Sequence, residues 1–482
     1  MGWFLKALWI SVSSVLLLAG IALVNGLLTK PEILPDLPPT TWTVDVERAA
    51  SNLSRAIQFE TVSGQPDEAF TGFRQWLATA YPQVHANLSL ELLGDHTLLF
   101  TWVGEDEQAP VLLTGHYDVV PVKEQALKSW THPPFSGEVA DGFIWGRGAL
   151  DNKGAVIAIL EAVESLLLAG FQPQRTIYLS FGHDEETGGK AGAGNVVAHL
   201  QRNGVLPAWS LDEGSYLMQG VFPGLDQPVA SINVAEKGYV TLSITATGTP
   251  GHSSTPPRKT AVGHLAEAIV SIQDNPMPGG LNGVPADMFE TLAPYLPLKQ
   301  RLMMANLWLF RPLLEAQLSR SPATDALLRT TTAPTMLSGS IKENVLPAEA
   351  TALINFRIHP ADTADSVISH IKALVNADHI EIGIVNDRVT PPSPIASHEA
   401  AGYSAITQAL RRTYGDIVVV PGMTGAATDS KHYSKLVEDA YRINPFLLSP
   451  GEAGGIHGNN ERLSLMNLEN GILSYIHLIE SL

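Results

Sequence analysis

The sequence predicts an α/β protein. Its mainly parallel-sheet domain is split by an inserted two-layer α+β domain and preceded by an N-terminal transmembrane segment. Three observations predict this. From about Asp45, short apolar runs alternate with stretches of helical periodicity, the pattern of strand–helix–strand units. At Lys237 the texture changes to a β-α-β-α-β outline before the first pattern resumes near His398. Ahead of both, Ala7 to Leu28 carry no charge.

Residues 1–29 are the expected transmembrane or signal-anchor segment, because about 20 apolar residues span a bilayer as a helix. Lys6 and the amino terminus precede the run, whereas Lys30 is offset by Glu32 and Asp36. The more basic end faces the cytosol, which places the rest on the non-cytosolic side of a single-pass membrane protein. The alternative is a cleaved signal peptide, giving a secreted or periplasmic protein. Its apolar stretch normally covers about 7–15 residues and ends in a small-x-small site, which Val24-Asn25-Gly26 matches poorly. Residues 30–44 form a linker. Four prolines between Pro31 and Pro39 make it a stiff tether.

The first part of the α/β domain is expected over 45–237. Val111 to Thr114, closed by Gly115, reads as a buried strand, as does Thr176 to Phe181 before Gly182. Between them Ala155 to Ala169 has helical spacing and stops at Gly170, a residue suited to the left-handed turn after a helix. The inserted domain is expected over 238–391. Its strands are Tyr239 to Thr247, Ala352 to Ile358 and Ile380 to Val385, and its helices Ala261 to Gln273 and Thr363 to Val375. A Leu-, Met- and Pro-rich segment, 276–334, interrupts it and is read as packing on that domain or, alternatively, as an adaptable apolar wall beside the site entrance or against the bilayer. The α/β domain resumes over 392–482.

Composition bounds the chemistry. Of 482 residues, 45% are apolar and 16% charged, a globular balance. With 48 acids against 30 bases, a net charge of −18 and no basic run, nucleic acid is excluded as a partner. The absence of cysteine excludes disulfides, thiolate catalysis and Cys-based zinc sites, so a metal site must use His, Asp and Glu.

Such residues gather at the ends of the predicted strands, where open α/β sheets bind ligands. His116 and Asp118 follow the first strand, on the same side of an extended chain. Asp151 lies in the glycine-rich stretch Gly146 to Gly154, ahead of the helix, where it also reads as a helix cap. Glu185 and Glu186 follow the next strand within His183 to Gly189. Adjacent acids repel unless a cation or proton intervenes, although an acidic turn reads the same way. Asp212 ends the stretch Ala208 to Leu211, and His457 sits in a distant glycine-rich loop. Singly, each has an ordinary structural explanation. Together they supply donors for a pair of metal sites. No Gly-x-Ser-x-Gly elbow, phosphate-binding loop or His-Glu-x-x-His helix occurs.

Gly-His-Tyr-Asp-Val-Val-Pro (115–121), Gly-Arg-Gly-Ala-Leu-Asp-Asn-Lys-Gly (146–154), Asp-Glu-Glu-Thr-Gly-Gly (184–189) and Gly-Thr-Pro-Gly-His-Ser-Ser (248–254) occur in that order. Over roughly residues 45–482 the chain resembles the co-catalytic zinc family of glutamate carboxypeptidase, aminoacylase and acetylornithine deacetylase. Its insertion and N-terminal segment are most similar to the Gly-Xaa carboxypeptidase and N-fatty-acyl-amino acid synthase/hydrolase branch. The resemblance implies two Zn²⁺ per chain bridged by Asp151, with His116 and Asp212 on one and Glu186 and His457 on the other. It implies that Asp118 orients His116, that Glu185 is the general base, and that His252, Asn344 and Arg357 of a lid or dimerisation domain contact substrate. Lys431 stands where relatives often have arginine. The expected activity is amide or peptide hydrolysis beside a free carboxylate, on short peptides or N-acyl amino acids. A non-catalytic metal-bound surface protein is the remote alternative. A homodimer is possible.

Overall fold

The computed structural model describes residues 2–31, 37–38 and 40–482. Residues 32–36 and 39 of the expected proline-rich tether lie outside the described residues. The larger body is built on a ten-stranded mixed sheet. At its centre, four strands run parallel in the order Arg175–Gly182, Asp106–His116, Trp209–Asp212 and Asp439–Arg442. Leu113 pairs with Leu179 on one side and Leu211 on the other, and His116 lies opposite Gly182. This register brings the polar ends of the strands together. Antiparallel strands Thr97–Trp102 and Ser89–Leu93 extend one edge. Beyond Asp439–Arg442 comes Val229–Glu236, which pairs in parallel with Val418–Thr424.

The helix Lys153–Leu168 packs beneath this sheet and is buried on nearly every side, so it is apolar all round rather than along one stripe. Gly170, at φ +74°, provides the expected left-handed stop. Truncating a fully buried side chain here, such as Leu160, costs about 2–5 kcal/mol because the cavity cannot collapse completely.

The second body is a four-stranded antiparallel sheet in the order Thr331–Ser338, Glu349–Ile358, Gly238–Thr247 and Ile380–Thr390. Val240, Leu242, Ile244 and Ala246 alternate onto one buried face beneath helices Ala261–Asp274 and Ala364–Leu374. Thr260 caps the first helix through the Gly263 amide at 3.1 Å, and Thr363 and Ser366 form a capping box at the second. Thr331–Ser338 corrects the expected extent of the insertion, because residues 331–334 belong to this sheet. Pro334 hid the strand. A proline is tolerated there because the strand lies at the sheet edge and bulges between Pro334 and Met336.

The rest of the insertion is helical, as Val284–Leu292, Leu298–Met304, Leu307–Leu318 and Pro322–Leu328. Phe289, Leu292, Leu307 and Leu314 pack with Leu225, Val229, Val418 and Val420 of the larger body, not with the domain that the segment interrupts. The N-terminal segment is one helix, Gly2–Leu28, whose last turns rest on Leu298–Met304.

Candidate metal centre

The strand Asp106–His116 delivers His116 to the floor of a cleft. The ring is buried, with Nδ1 3.0 Å from the Asp118 carbonyl oxygen and 3.3 Å from its carboxylate, which leaves Nε2 for the cleft. Asp118 is itself fixed. It accepts the Ser63 hydroxyl at 2.5 Å and the backbone amides of Glu185 and Glu186 at 3.2 and 3.1 Å. One carboxylate thus sets both the imidazole and the acidic turn after the neighbouring strand.

Asp151 occupies the centre. Its Oδ1 lies 3.0 Å from His116 Nε2, and its Oδ2 lies 3.0 Å from His457 Nε2. Glu186 is 3.2 Å from the same His457 nitrogen, and Glu213 is 3.5 Å from His116 Nε2. Among the described residues the donors form three groups: His116–Asp151–Glu213 and Asp151–Glu186–His457, which share Asp151, and His116–Glu185–Glu186. Glu185 lies 4.0 Å from His116 Nε2. His457 reaches the cluster from a left-handed backbone, φ +55°, a conformation uncommon outside glycine and recurrent at functional sites.

Asp212, the expected ligand, lies outside all of these groups, whereas Glu213 lies in one. Asp212 is the last residue of its strand, buried, with Oδ2 3.3 Å from the Thr428 hydroxyl. Consecutive residues leave an extended chain on opposite sides, so choosing between two adjacent acids by one position reverses which one enters the site.

The electrostatics are those of a cluster lacking positive charge. Burial would depress His116, but Asp118, Asp151 and Glu213 outweigh it and hold the imidazole well above its ordinary range. Asp151 and Glu186 push His457 up to about 10. Burial raises Asp151, yet its two histidines prevail and hold it below the usual carboxylate range. Burial, with Asp151 alongside, pushes Glu213 up to about 7. Groups that favour protonated imidazoles and a neutral glutamate are stabilised by added cations. Two free imidazole nitrogens with carboxylates and no thiolate suit zinc or a similar divalent ion. The residues therefore fit a metal.

The cleft encloses about 660 Å³ between the two bodies. Asp151, Glu185, Glu186, Glu213 and His457 form one side; Tyr239, Arg357, Arg388 and Lys431 also line it. Arg357 stacks over Tyr239 at 5.1 Å. The other two residues expected to contact substrate do not line it. His252 is exposed in a two-residue ladder with Val345, and the Asn344 carbonyl accepts the Ser253 amide.

Sequence reasoning missed Glu213, Arg388 and Glu461. Fully buried Glu461 accepts the amides of Gly148, Leu150 and Asp151 at 3.1, 2.8 and 3.1 Å and pairs with Arg147 at 2.6 Å. It holds the loop that carries Asp151. No local pattern marks it, since its partners lie over 300 residues away.

Residues 112–481 match the family model described as peptidase family M20/M25/M40. The chain is 39% identical to a probable carboxypeptidase S-like 2 of Dictyostelium discoideum, over 94% of this chain and 88% of the relative. It is 40% identical to an N-fatty-acyl-amino acid synthase/hydrolase of Danio rerio, over 90% of this chain and 86% of the relative. Among solved structures, an M20 family metallo-carboxypeptidase from Sulfolobus solfataricus aligns with a TM-score of 0.65 at 18% identity, covering 90% of this chain and 98% of that one. That likeness concerns the fold. Family model and relatives agree: the chain belongs to peptidase family M20/M25/M40 and is a metal-dependent hydrolase.

Proposed function

We propose that the protein is a membrane-tethered dizinc hydrolase that cleaves an amide or peptide bond next to a free carboxylate, acting as a carboxypeptidase on short peptides. The observation that carries this reading is Asp151, whose two oxygens each face a different histidine at 3.0 Å. His116, Asp151 and Glu213 would hold one ion, and Asp151, Glu186 and His457 the other. When bound, the ions supply Lewis acidity, polarising the amide carbonyl and bringing the pKa of water to about 7.

The chain's own residues do the rest. Glu185, a donor in the His116–Glu185–Glu186 group but in neither group that contains Asp151, takes a proton from the attacking water and passes it to the leaving nitrogen. Arg357, Arg388 and Lys431 offer cationic partners for a free carboxylate across the cleft, the arginines with a fork that matches its two oxygens. His252 and Asn344 join only if the inserted domain closes or a second subunit supplies them. A homodimer is supported by the edge strand Thr331–Ser338, which exposes Met336 and Leu337, and by fully exposed Ile341 nearby.

A second reading, an N-fatty-acyl-amino acid hydrolase or synthase, is favoured by relatives of that name at 34–40% identity. The N-terminal helix supports the tether: Trp9–Leu28 is long and apolar enough to cross a membrane, with only 11% of it buried. The test is a chromatographic screen of purified full-length protein with zinc. Dipeptides, N-acetyl and long-chain N-acyl amino acids are compared with their C-terminal amides. Free acids should be cleaved and amides spared. Equal cleavage of both would refute the carboxylate-directed reading.

A further inference from the structure

We infer that the helices Leu298–Met304 and Leu307–Leu318 form a second membrane contact, lying in the outer interface of the bilayer that the N-terminal helix crosses. The inference rests on reading that helix as a retained anchor, and it begins with how the two are joined.

Ala22 and Gly26 are buried, and Asn25 and Thr29 half-buried, whereas their neighbours Leu23, Val24, Leu27 and Leu28 are exposed. Residues 22, 25, 26 and 29 share one helical stripe, and the insertion covers it. Asn306 is fully buried at this joint. Its side-chain amide donates to the Ala22 and Leu302 carbonyls at 2.9 Å each, and its oxygen accepts the Asn25 amide at 3.0 Å. Arg301 donates to the Thr29 carbonyl at 3.3 Å. At Gly26 the helix approaches Leu302 so closely that a Cβ would lie 2.5 Å from its side chain. A polar Asn inside an apolar span needs a partner away from water, and Asn306 is that partner.

This joint fixes a depth. Ala22 precedes Leu28 by six residues, which places it about 9 Å inside the end of the apolar stretch at ~1.5 Å per residue. Interfacial helices bury their apolar face about 5–10 Å into the lipid. The start of Leu307–Leu318 therefore sits at interfacial depth.

The side chains there suit it. Leu298, Trp308, Leu309 and Leu313 are 45%, 55%, 36% and 58% exposed. Trp308 turns its indole N–H to Asn306 at 3.1 Å and leaves its ring outward, the amphipathic arrangement enriched at membrane interfaces. Between Leu298 and Arg320 stand Lys299, Arg301, Arg311 and Arg320, with Glu315 the lone acid. Glu315 faces inward to accept the Leu281 amide at 2.8 Å. A tryptophan-bearing apolar face on a segment with four basic residues and one acid fits lipid headgroups above acyl chains. The bilayer, already continuous with the anchor, is the occupant.

The absence of cysteine permits a clean test. Full-length protein carrying Leu313→Cys, Leu309→Cys, Val15→Cys or Leu206→Cys is spin-labelled in proteoliposomes with anionic lipid. Accessibility to lipid-soluble oxygen is compared with accessibility to a water-soluble nickel chelate. We expect labels at 313 and 309 to resemble the label at 15, favouring oxygen, and the exposed position 206 to favour the chelate. If 313 behaves like 206 while 15 remains in lipid, the anchor stands and the second contact is refuted. If 15 itself meets the chelate, the anchor reading fails and the inference with it. Shielding of 313 from both reagents would mean that protein covers the face, which also overturns the inference.

Discussion

On the floor of the cleft, each reactive group is held by several others. Asp118 gathers His116, Ser63 and two backbone amides, and Glu461 gathers three amides and Arg147. On the inserted domain, His252 is exposed and its ring hydrogen-bonds nearby Ser254, 2.8 Å away. The floor is finished before substrate arrives, as preorganised electrostatics require. The inserted domain already brings Tyr239, Arg357 and Arg388 to the cleft but leaves His252 outside it.

Four measurements can break or sharpen this contrast. The largest effect should come from Glu185→Gln. A positioned acid/base removed from a finished floor should lower kcat about 10³-fold, with metal content and circular dichroism unchanged. Near-normal turnover would show that proton transfer belongs elsewhere.

If His252 reaches the substrate as proposed and donates to the developing oxyanion, His252→Ala should lower kcat about 10²-fold, the scale of one such lost donor. Mixing it with the Glu185→Gln chain distinguishes the two routes. Restored activity means that the histidine arrives from a second subunit, and no recovery in a monomeric protein means closure within one chain.

Glu213→Gln and Asp212→Asn form a matched pair. Losing a ligand should weaken metal affinity beyond the ~10- to 100-fold typical of an outer partner, whereas the Asp212 change should retain the full metal complement by elemental analysis. The reverse result would give the ligand role to Asp212. The smallest effect is expected for Arg388→Ala. One charged hydrogen bond contributes about 1.5–3 kcal/mol, so KM for free-acid substrates should rise about 10- to 100-fold with kcat largely kept.

The two bodies also differ in what their sequence discloses. Strand ends and glycine-rich turns carry chemistry in local words, so His116, Asp118, Asp151, Glu185, Glu186 and His457 were readable, and the structure gathers all six. The alternation of Val240, Leu242, Ile244 and Ala246 likewise marked a half-buried strand. What failed was tertiary. Arg388 lies on a strand that was expected to stop at Val385 but continues to Thr390, because pairing with Gly238–Thr247 sustains it past its apolar part. Asp212 and Glu213 differ by a single step of pleat. The insertion's density of Leu and Met was evident, but no periodicity says which body it covers.

Glu461 has a consequence in time. The bond it makes to the Asp151 amide spans 310 residues. At synthesis rates of about 5–20 residues per second, a nascent chain waits roughly 15–60 s between making the central aspartate and making the group that seats its loop. The middle of the sheet waits as well, since Asp439–Arg442 lies between strands made more than 200 residues earlier. A half-made chain has His116 and Asp151 but no shaped nest for an ion. The nest for an ion therefore takes shape only once Glu461 has been made.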